Sequence, residues 1–191
     1  RTLWALRGKE PLLQHLNSIV DYSLYWLLAI REDDQTYGDP DFVRAIWPRM
    51  RSLTDFCLER TNEEGFLVGR EEDWVCMDWA DMDKDGPLCA AQMLFIRALE
   101  AAADCALLAG QDGSRYAAHA ETLAKKLDAF FYDEEKGAYI DTYASGRRNV
   151  TRHANIFAIL YDFADEAKRA SIVRNVLDND AVPAITTPYF K

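Results

Sequence analysis

The apolar positions along this chain form two kinds of helical pattern, one apolar on nearly all sides and one apolar on a single side. Residues 15–30 are apolar at almost every position, which predicts a helix that is buried on most sides. Residues 41–60 instead place apolar side chains such as Phe42 and Met50 on one side and charged side chains on the other. The first pattern indicates an inner helix and the second an outer helix, which Pro48 should kink or restart.

The same order of inner and outer patterns occurs twice more. Residues 86–109 are rich in Ala, Leu and Met and predict a second inner helix, whereas residues 116–131 carry apolar side chains three or four positions apart, as in an outer helix. Residues 153–163 and about 166–177 predict a third pair. The three predicted hairpins span approximately residues 12–60, 86–132 and 152–178.

Glycine spacing indicates that these pairs are structural repeats. Gly38 and Gly110 are 72 residues apart, and Gly65 and Gly137 are separated by the same distance. Gly65 and Gly137 each belong to an acidic turn that we expect to lead through a short extended stretch to the next inner helix. Repeated helical hairpins build an open solenoid or a closed α/α toroid, so the sequence predicts an all-α fold.

Composition narrows the possible functions. The 191 residues are 49% hydrophobic, enough for one domain-sized core, and carry a formal net charge of −10 without a basic cluster. Such a chain lacks the positive charge that draws proteins to nucleic acid or to an anionic membrane. We predict neither partner, no membrane span and no signal peptide, and the absence of an initial Met suggests that the true start is missing. The compartment stays open, either cytoplasmic or periplasmic.

The strongest chemical signal lies immediately before the second inner helix. Residues 73–85 contain five aspartates and two tryptophans. A pyranose ring offers hydroxyl groups to charged acceptors and an apolar face to an indole, so this combination is typical of a sugar site. We predict that Asp78 and Trp79 contact the ligand, with Asp73 and Trp74 behind them. The alternative is that the indoles wedge the loop against the core and the acids only cap a helix.

The toroid would add residues from other repeats to this site. Its inner helices start at one end, so the loops before them would converge on a common mouth. His15, Asn17, His153 and Asn155 would then join residues 73–85 as predicted ligand contacts. The plainer alternative is that the two histidines are structural hydrogen-bonding groups and the two asparagines are helix caps. In a solenoid these residues would be spread along a groove.

A cation site is a further alternative for the acidic segment. Asp81, Asp83, Asp85 and Gly86 copy the start of an EF-hand calcium loop, but Gln92 stands where that loop needs a bidentate glutamate. The plainer interpretation is that Asp85 or Gly86 caps the second inner helix. We therefore predict no metal site and no cofactor.

Several segments together resemble the catalytic domain of bacterial α-L-rhamnosidases, glycoside hydrolase family 78. The segments that carry the resemblance are residues 15–26, 36–42, 74–79 and 152–158. The resemblance implies about half of an (α/α)6 toroid, in one domain over residues 1–191 that is incomplete at both ends. It also implies inverting hydrolysis of terminal α-L-rhamnose from glycosides or polysaccharides, with Trp79 stacking on the sugar and Asp78 holding a hydroxyl.

The segments in which this family carries its general acid and general base are not found in residues 1–191. The resemblance therefore implies no catalytic residue here, a fragment that is inactive alone, and the remaining halves of its own domain as partners beside a rhamnose-containing carbohydrate. Two alternatives stay open. One is a non-catalytic helical-repeat binding module, and the other is a different six-hairpin glycosidase.

Overall fold

The computed structural model describes residues 19–70, 73 and 77–186. His15, Asn17 and Trp74 lie outside the described residues. The helices are α1 (Val20–Tyr37), α2 (Pro40–Leu58), α3 (Cys89–Leu108), α4 (Ser114–Phe131), α5 (Arg152–Leu160) and α6 (Glu166–Ile172), the last continuing into a π-helical turn over Val173–Leu177.

Helix α3 lies at the centre of the described array. It packs against α1 and α5 as neighbouring inner helices and against α2 and α4 as outer ones. Its residues Leu94, Phe95 and Leu99 are fully buried, because neighbours surround the helix on most sides. The predicted all-α fold of repeated inner and outer hairpins is confirmed.

Helix α1 departs from the prediction that it is buried on most sides. It buries one stripe that includes Leu24 and Leu27, whereas Tyr22 is 63% exposed. Among the described elements it packs mainly against α2 and α3, and none of them covers its opposite side. The helix is also longer than the apolar pattern indicates and ends at Tyr37.

The glycines predicted to punctuate the repeats do so. Gly38 follows α1 in the left-handed conformation, at φ 66°, and its N–H donates to the Asp34 carbonyl oxygen at 2.7 Å. Gly110 follows α3 in the same way, at φ 68°. A residue in the left-handed conformation often ends a helix. Glycine is favoured at such a position because it has no Cβ to clash with the backbone.

Helix α2 runs through Pro48 without restarting, and a kink at Pro48 stays a prediction. The predicted cap of α3 is wrong. Helix α3 is capped by neither Asp85 nor Gly86, because it begins only at Cys89, whose N–H donates to the Asp141 carbonyl oxygen at 2.7 Å. A backbone group from the connection between α4 and α5 thus satisfies a donor for which a local cap was predicted.

Both predicted acidic turns are present, and each also closes a short antiparallel pair that was not predicted. Thr61 pairs with Leu67 around the first turn. Strands β1 (Tyr132–Asp133) and β2 (Ala138–Tyr139) pair around the second. The connections that follow differ in length, since 25 residues separate Leu67 from Gln92 in α3 but 16 separate Tyr139 from Asn155 in α5. The first connection is therefore nine residues longer, and it carries the segment rich in Asp and Trp.

The cysteines Cys57, Cys89 and Cys105 are free and buried. None of the helices in the described part of the chain combines the length and apolar character needed to span a bilayer.

Candidate functional site

The connection between the first hairpin and α3 is anchored at its start by a buried ion pair. Arg60, just after α2, donates from Nε to Asp73 Oδ2 at 2.6 Å, and both side chains are buried. The guanidinium also lies 3.3 Å from the centre of the Phe56 ring. Arg70 N–H donates to the same Asp73 oxygen at 2.9 Å. The carboxylate of Asp73 is therefore held to the end of the first hairpin.

The next described residue, Met77, has a strained backbone. Its φ is 44°, in the left-handed region that favours glycine, and its side chain is buried. Its N–H donates to Asp21 Oδ2 at 3.2 Å, and Asp21 is a buried residue in the first turn of α1. This bond joins the loop to the start of one inner helix.

Asp78 is buried and receives hydrogen bonds from several parts of the chain. Thr186 donates from N–H to Oδ2 at 3.0 Å and from its hydroxyl to Oδ1 at 2.6 Å, and Trp79 N–H donates to Oδ1 at 2.7 Å. The Asp78 carbonyl oxygen accepts from Lys84 Nζ at 2.7 Å. Both carboxylate oxygens thus already accept bonds from within the chain.

His153, the second residue of α5, meets Asp78 across the mouth of the array. Its Nε2 lies 2.7 Å from Asp78 Oδ2, and both side chains are fully buried. With the bond from Met77 to Asp21, this contact brings the loop before α3 to the starts of α1 and α5. The described contacts therefore join the loop to two inner-helix starts, as the toroid prediction requires.

Trp79 differs from the other predicted ligand residues. It is 80% exposed, although the Asp78 residue before it is buried. Among the predicted site residues that the structure describes, it is the one whose side chain is mostly open to solvent. An exposed indole on a loop that is anchored on both sides can stack on the apolar face of a ring without first being ordered.

Asn155 uses its amide on the backbone. It is fully buried, accepts from Tyr139 N–H at 2.9 Å, and donates to the carbonyl oxygens of Tyr139 at 2.9 Å and Thr151 at 2.8 Å. These bonds tie α5 to strand β2. A direct contact between Asn155 and a ligand stays a prediction.

A further buried acid, Asp141, was not singled out from the sequence. It accepts from Thr151 Oγ1 at 2.7 Å, from Asn149 Nδ2 at 2.7 Å and from Asp83 N–H at 3.0 Å. Burial raises the pKa of its carboxyl group, against the opposing effect of these donors. A single aspartate outside any motif gives no sequence signal, because its partners come from residues that the fold brings together.

The acidic run after Trp79 is divided between interior and surface. Asp83 is buried and pairs with Arg147 at 2.5 Å and with the Ser145 hydroxyl, whereas Asp81 and Asp85 are exposed. Burial would raise the pKa of Asp83, but these bonds and the Asp85 N–H hold it below its usual value. Within the described residues, no group of three or more His, Cys, Asp or Glu side chains is arranged to hold a metal ion.

A cavity of about 490 Å³ lies away from these residues, between the second acidic turn and residues 173–182. Its lining includes Lys136, Asn175 and Val182. None of the predicted ligand residues that the structure describes lines it, so we place the candidate site at the segment around Asp78 and Trp79, where the buried contacts and the exposed indole occur together.

Comparison with known proteins links this geometry to a family. Residues 11–183 match the family described as the bacterial alpha-L-rhamnosidase 6 hairpin glycosidase domain. A search of curated proteins finds no match.

Two solved structures show the similarity in three dimensions. The GH78 family rhamnosidase of Bacillus sp. GL1 is 29% identical with a TM-score of 0.79, over 91% of this chain and 19% of that chain. A rhamnosidase from Klebsiella oxytoca with rhamnose bound is 24% identical with a TM-score of 0.70, over 83% of this chain and 30% of that chain, and this likeness concerns the fold alone. The chain thus spans about a fifth of the first protein and under a third of the second.

Proposed function

The chain belongs to the bacterial α-L-rhamnosidase six-hairpin glycosidase family, and on this premise we propose that it supplies sugar-binding residues to a catalytic domain that hydrolyses terminal α-L-rhamnose. The substrate would be a rhamnose-containing glycoside or polysaccharide. The family and its glycosidase fold are as the sequence resemblance implied. What we propose for this protein is its substrate and its reaction.

One observation carries the proposal: an exposed indole follows directly on a buried carboxylate that is bonded to the start of an inner helix. Trp79 is 80% exposed, and Asp78 lies 2.7 Å from His153 in α5. This arrangement presents a flat apolar surface at the mouth of the helical array. A sugar that binds there would lose little free energy in ordering the protein, because the neighbouring Asp78 is already held by its hydrogen bonds.

The predicted ligand residues divide into two roles in this proposal. Trp79 stacks on the sugar, while Asp78 and His153 hold the segment that carries it, since the oxygens of Asp78 already accept bonds from His153 and Thr186. Asp73 fixes the start of the loop. His15, Asn17 and Trp74 remain predicted ligand contacts outside the described residues, and Asn155 a predicted contact whose described bonds are to backbone.

We propose an inverting reaction whose acid and base come from parts of the protein outside residues 1–191. Inversion requires two carboxyl groups about 6.5–9.5 Å apart, one to protonate the leaving oxygen and one to activate water. Asp78 is poorly suited to either role because its oxygens are engaged. Residues 1–191 alone should therefore be inactive and should require the remainder of the catalytic domain as their partner.

The test is hydrolysis of a panel of aryl glycosides by the full-length protein that contains this chain. We expect release from the aryl α-L-rhamnoside and none from matched glucosides or galactosides. Proton NMR during the first turnovers should show β-L-rhamnose before mutarotation, as inversion requires. Turnover of another glycoside would favour a different six-hairpin glycosidase, and binding without turnover would favour a non-catalytic module.

A further inference from the structure

The segment that directs Trp79 passes through a backbone conformation that its own sequence disfavours. Met77 adopts φ 44°, and the next two residues change from a buried carboxylate at Asp78 to an exposed indole at Trp79. A side chain with a Cβ is disfavoured in the left-handed region, and such a residue persists only where its surroundings hold it. Something outside the loop must therefore stabilise this conformation.

The described contact that does so comes from α1. Asp21 Oδ2 accepts the Met77 N–H at 3.2 Å across 56 residues of sequence, and Asp21 is buried. A carboxylate is a stronger acceptor for a backbone N–H than a neutral oxygen. The hydrogen bond holds the Met77 backbone and, through it, the direction in which the chain continues to Asp78 and Trp79.

Asp21 does not act as the cap of its own helix. Helix α1 has Ile19 at its N-cap position and no side-chain cap bond, and Asp21 lies one residue inside the helix with its oxygen on the loop. The negative charge of Asp21 also stabilises α1, because it lies near the positive N-terminal end of the helix dipole. The hydrogen bond to Met77 and this charge effect can be separated experimentally, because asparagine keeps an acceptor oxygen but loses the charge.

We infer that Asp21 is a positioning residue for the sugar site, which sets the direction of Trp79 through the left-handed backbone of Met77. The inference rests on the proposed function, because it requires Trp79 to contact the sugar. It assigns to the first turn of α1 a role in substrate affinity, although Asp21 itself would touch no substrate.

The experiment uses the full-length protein and an aryl α-L-rhamnoside, with KM, kcat and Tm measured for each variant. Asp21→Ala should raise KM about ten-fold, with a smaller change in kcat, because a displaced contact residue weakens binding. Asp21→Asn should stay within about three-fold of the wild-type KM, since its amide oxygen can accept the same bond. Should Asp21→Ala fail to fold, Asp21→Glu keeps the charge but moves the acceptor, and should also raise KM.

A second substitution distinguishes positioning from general stability. Glycine adopts a positive φ without strain, so adding Met77→Gly to Asp21→Ala should bring KM back to within about three-fold of wild type. The same change removes a buried side chain and should lower Tm further. A KM that recovers while Tm falls cannot come from restored stability.

The matched control is Asp104→Ala. Asp104 bonds Arg31 at 2.6 Å near the other end of α1, so its loss removes a contact of the same helix far from the loop. We expect its KM to equal that of wild type. The inference is overturned if Asp21→Ala shifts KM no more than this control does, or if Met77→Gly brings no recovery. A wild-type protein that hydrolyses no rhamnoside overturns the proposed function, and the inference falls with it.

Discussion

Gln92 in α3 and Asn155 in α5 make the same contact with the hairpins that precede their helices. Each is the fourth residue of its helix. Gln92 accepts from Leu67 N–H and donates to the Leu67 carbonyl oxygen, both at 2.8 Å, as Asn155 does with Tyr139 at 2.9 Å. In each case a side-chain amide pairs with the N–H and carbonyl of one residue, and this pairing orients the inner helix on the acidic turn before it. Both amides are fully buried.

Removal of one such amide should destabilise the domain. Asn155→Ala leaves buried N–H and carbonyl groups of Tyr139 without their partner, and we expect a loss of about 3 kcal/mol in the free energy of unfolding. Urea denaturation measures it. Gln111→Ala, which truncates an exposed amide, is the control and should change stability by less than about 0.5 kcal/mol. A loss below about 1 kcal/mol for Asn155→Ala would show that these bonds are easily replaced.

Trp79→Ala should impair substrate binding and leave the fold intact. The side chain is 80% exposed, so its removal uncovers little core, and Tm should change by less than about 2 °C. In the full-length protein we expect kcat/KM for an aryl α-L-rhamnoside to fall roughly 10- to 100-fold, mainly through KM. Tyr37→Ala, at the far end of α1 and 78% exposed, should leave the kinetics unchanged. Equal effects of both substitutions would remove Trp79 from the sugar site.

Asp78→Asn should lower both stability and activity. Thr186 and Trp79 direct three hydrogen-bond donors at the carboxylate, and an amide offers them one oxygen and opposes them with an NH₂ group. We expect a loss of about 2–3 kcal/mol in unfolding free energy, with a raised KM because the Trp79 segment loses its anchor. Urea denaturation and kinetics of the full-length protein test the two parts. An unchanged KM in a destabilised variant would limit Asp78 to a structural role.

The acidic turn between β1 and β2 should contribute a pH-dependent part of the stability. Burial alone would raise the pKa of Asp133, but bonds from Lys136 N–H at 3.0 Å and Arg148 at 2.7 Å hold it below its usual value. A carboxyl group with a lowered pKa in the folded state stabilises the fold above its unfolded pKa of about 3.9, and this contribution is lost as the pH falls through the folded value.

Asp133→Asn should therefore be less stable than wild type at pH 7. The difference should shrink steadily as the pH falls below about 4, because the wild-type carboxyl group then also becomes neutral. Urea denaturation of both proteins between pH 7 and pH 2.5 gives the two curves. A difference that stays constant or widens in acid would contradict the assigned role of the ion pair with Arg148.

Features that depend on neighbours in sequence were predictable. Gly38 and Gly110 follow α1 and α3 in the left-handed conformation, and the 72-residue spacing correctly pairs the turns at Gly65 and Gly137. These positions require a left-handed backbone, which few residues other than glycine adopt, so composition and conformation are directly linked.

Features that depend on distant partners were not predictable. Nothing near Cys89 shows that its N–H bonds to Asp141, and the composition around Asp78 does not reveal that Thr186, 108 residues away, occupies its oxygens. The sequence therefore indicated a group of acidic and aromatic residues where the inner helices start, but it did not show that Trp79 is exposed and Asp78 is buried. Burial of a polar side chain is decided by tertiary contacts, not by its own residue type.

The unequal connections after the two acidic turns suggest how specificity diverges in such proteins. Gln92 fixes the start of α3 on Leu67 whatever residues lie between them. Residues 68–88 can therefore be inserted, deleted or substituted while the helices keep their positions. Natural variation in sugar preference should then concentrate in this one segment, which makes it the place to graft a loop from a relative when a new specificity is wanted.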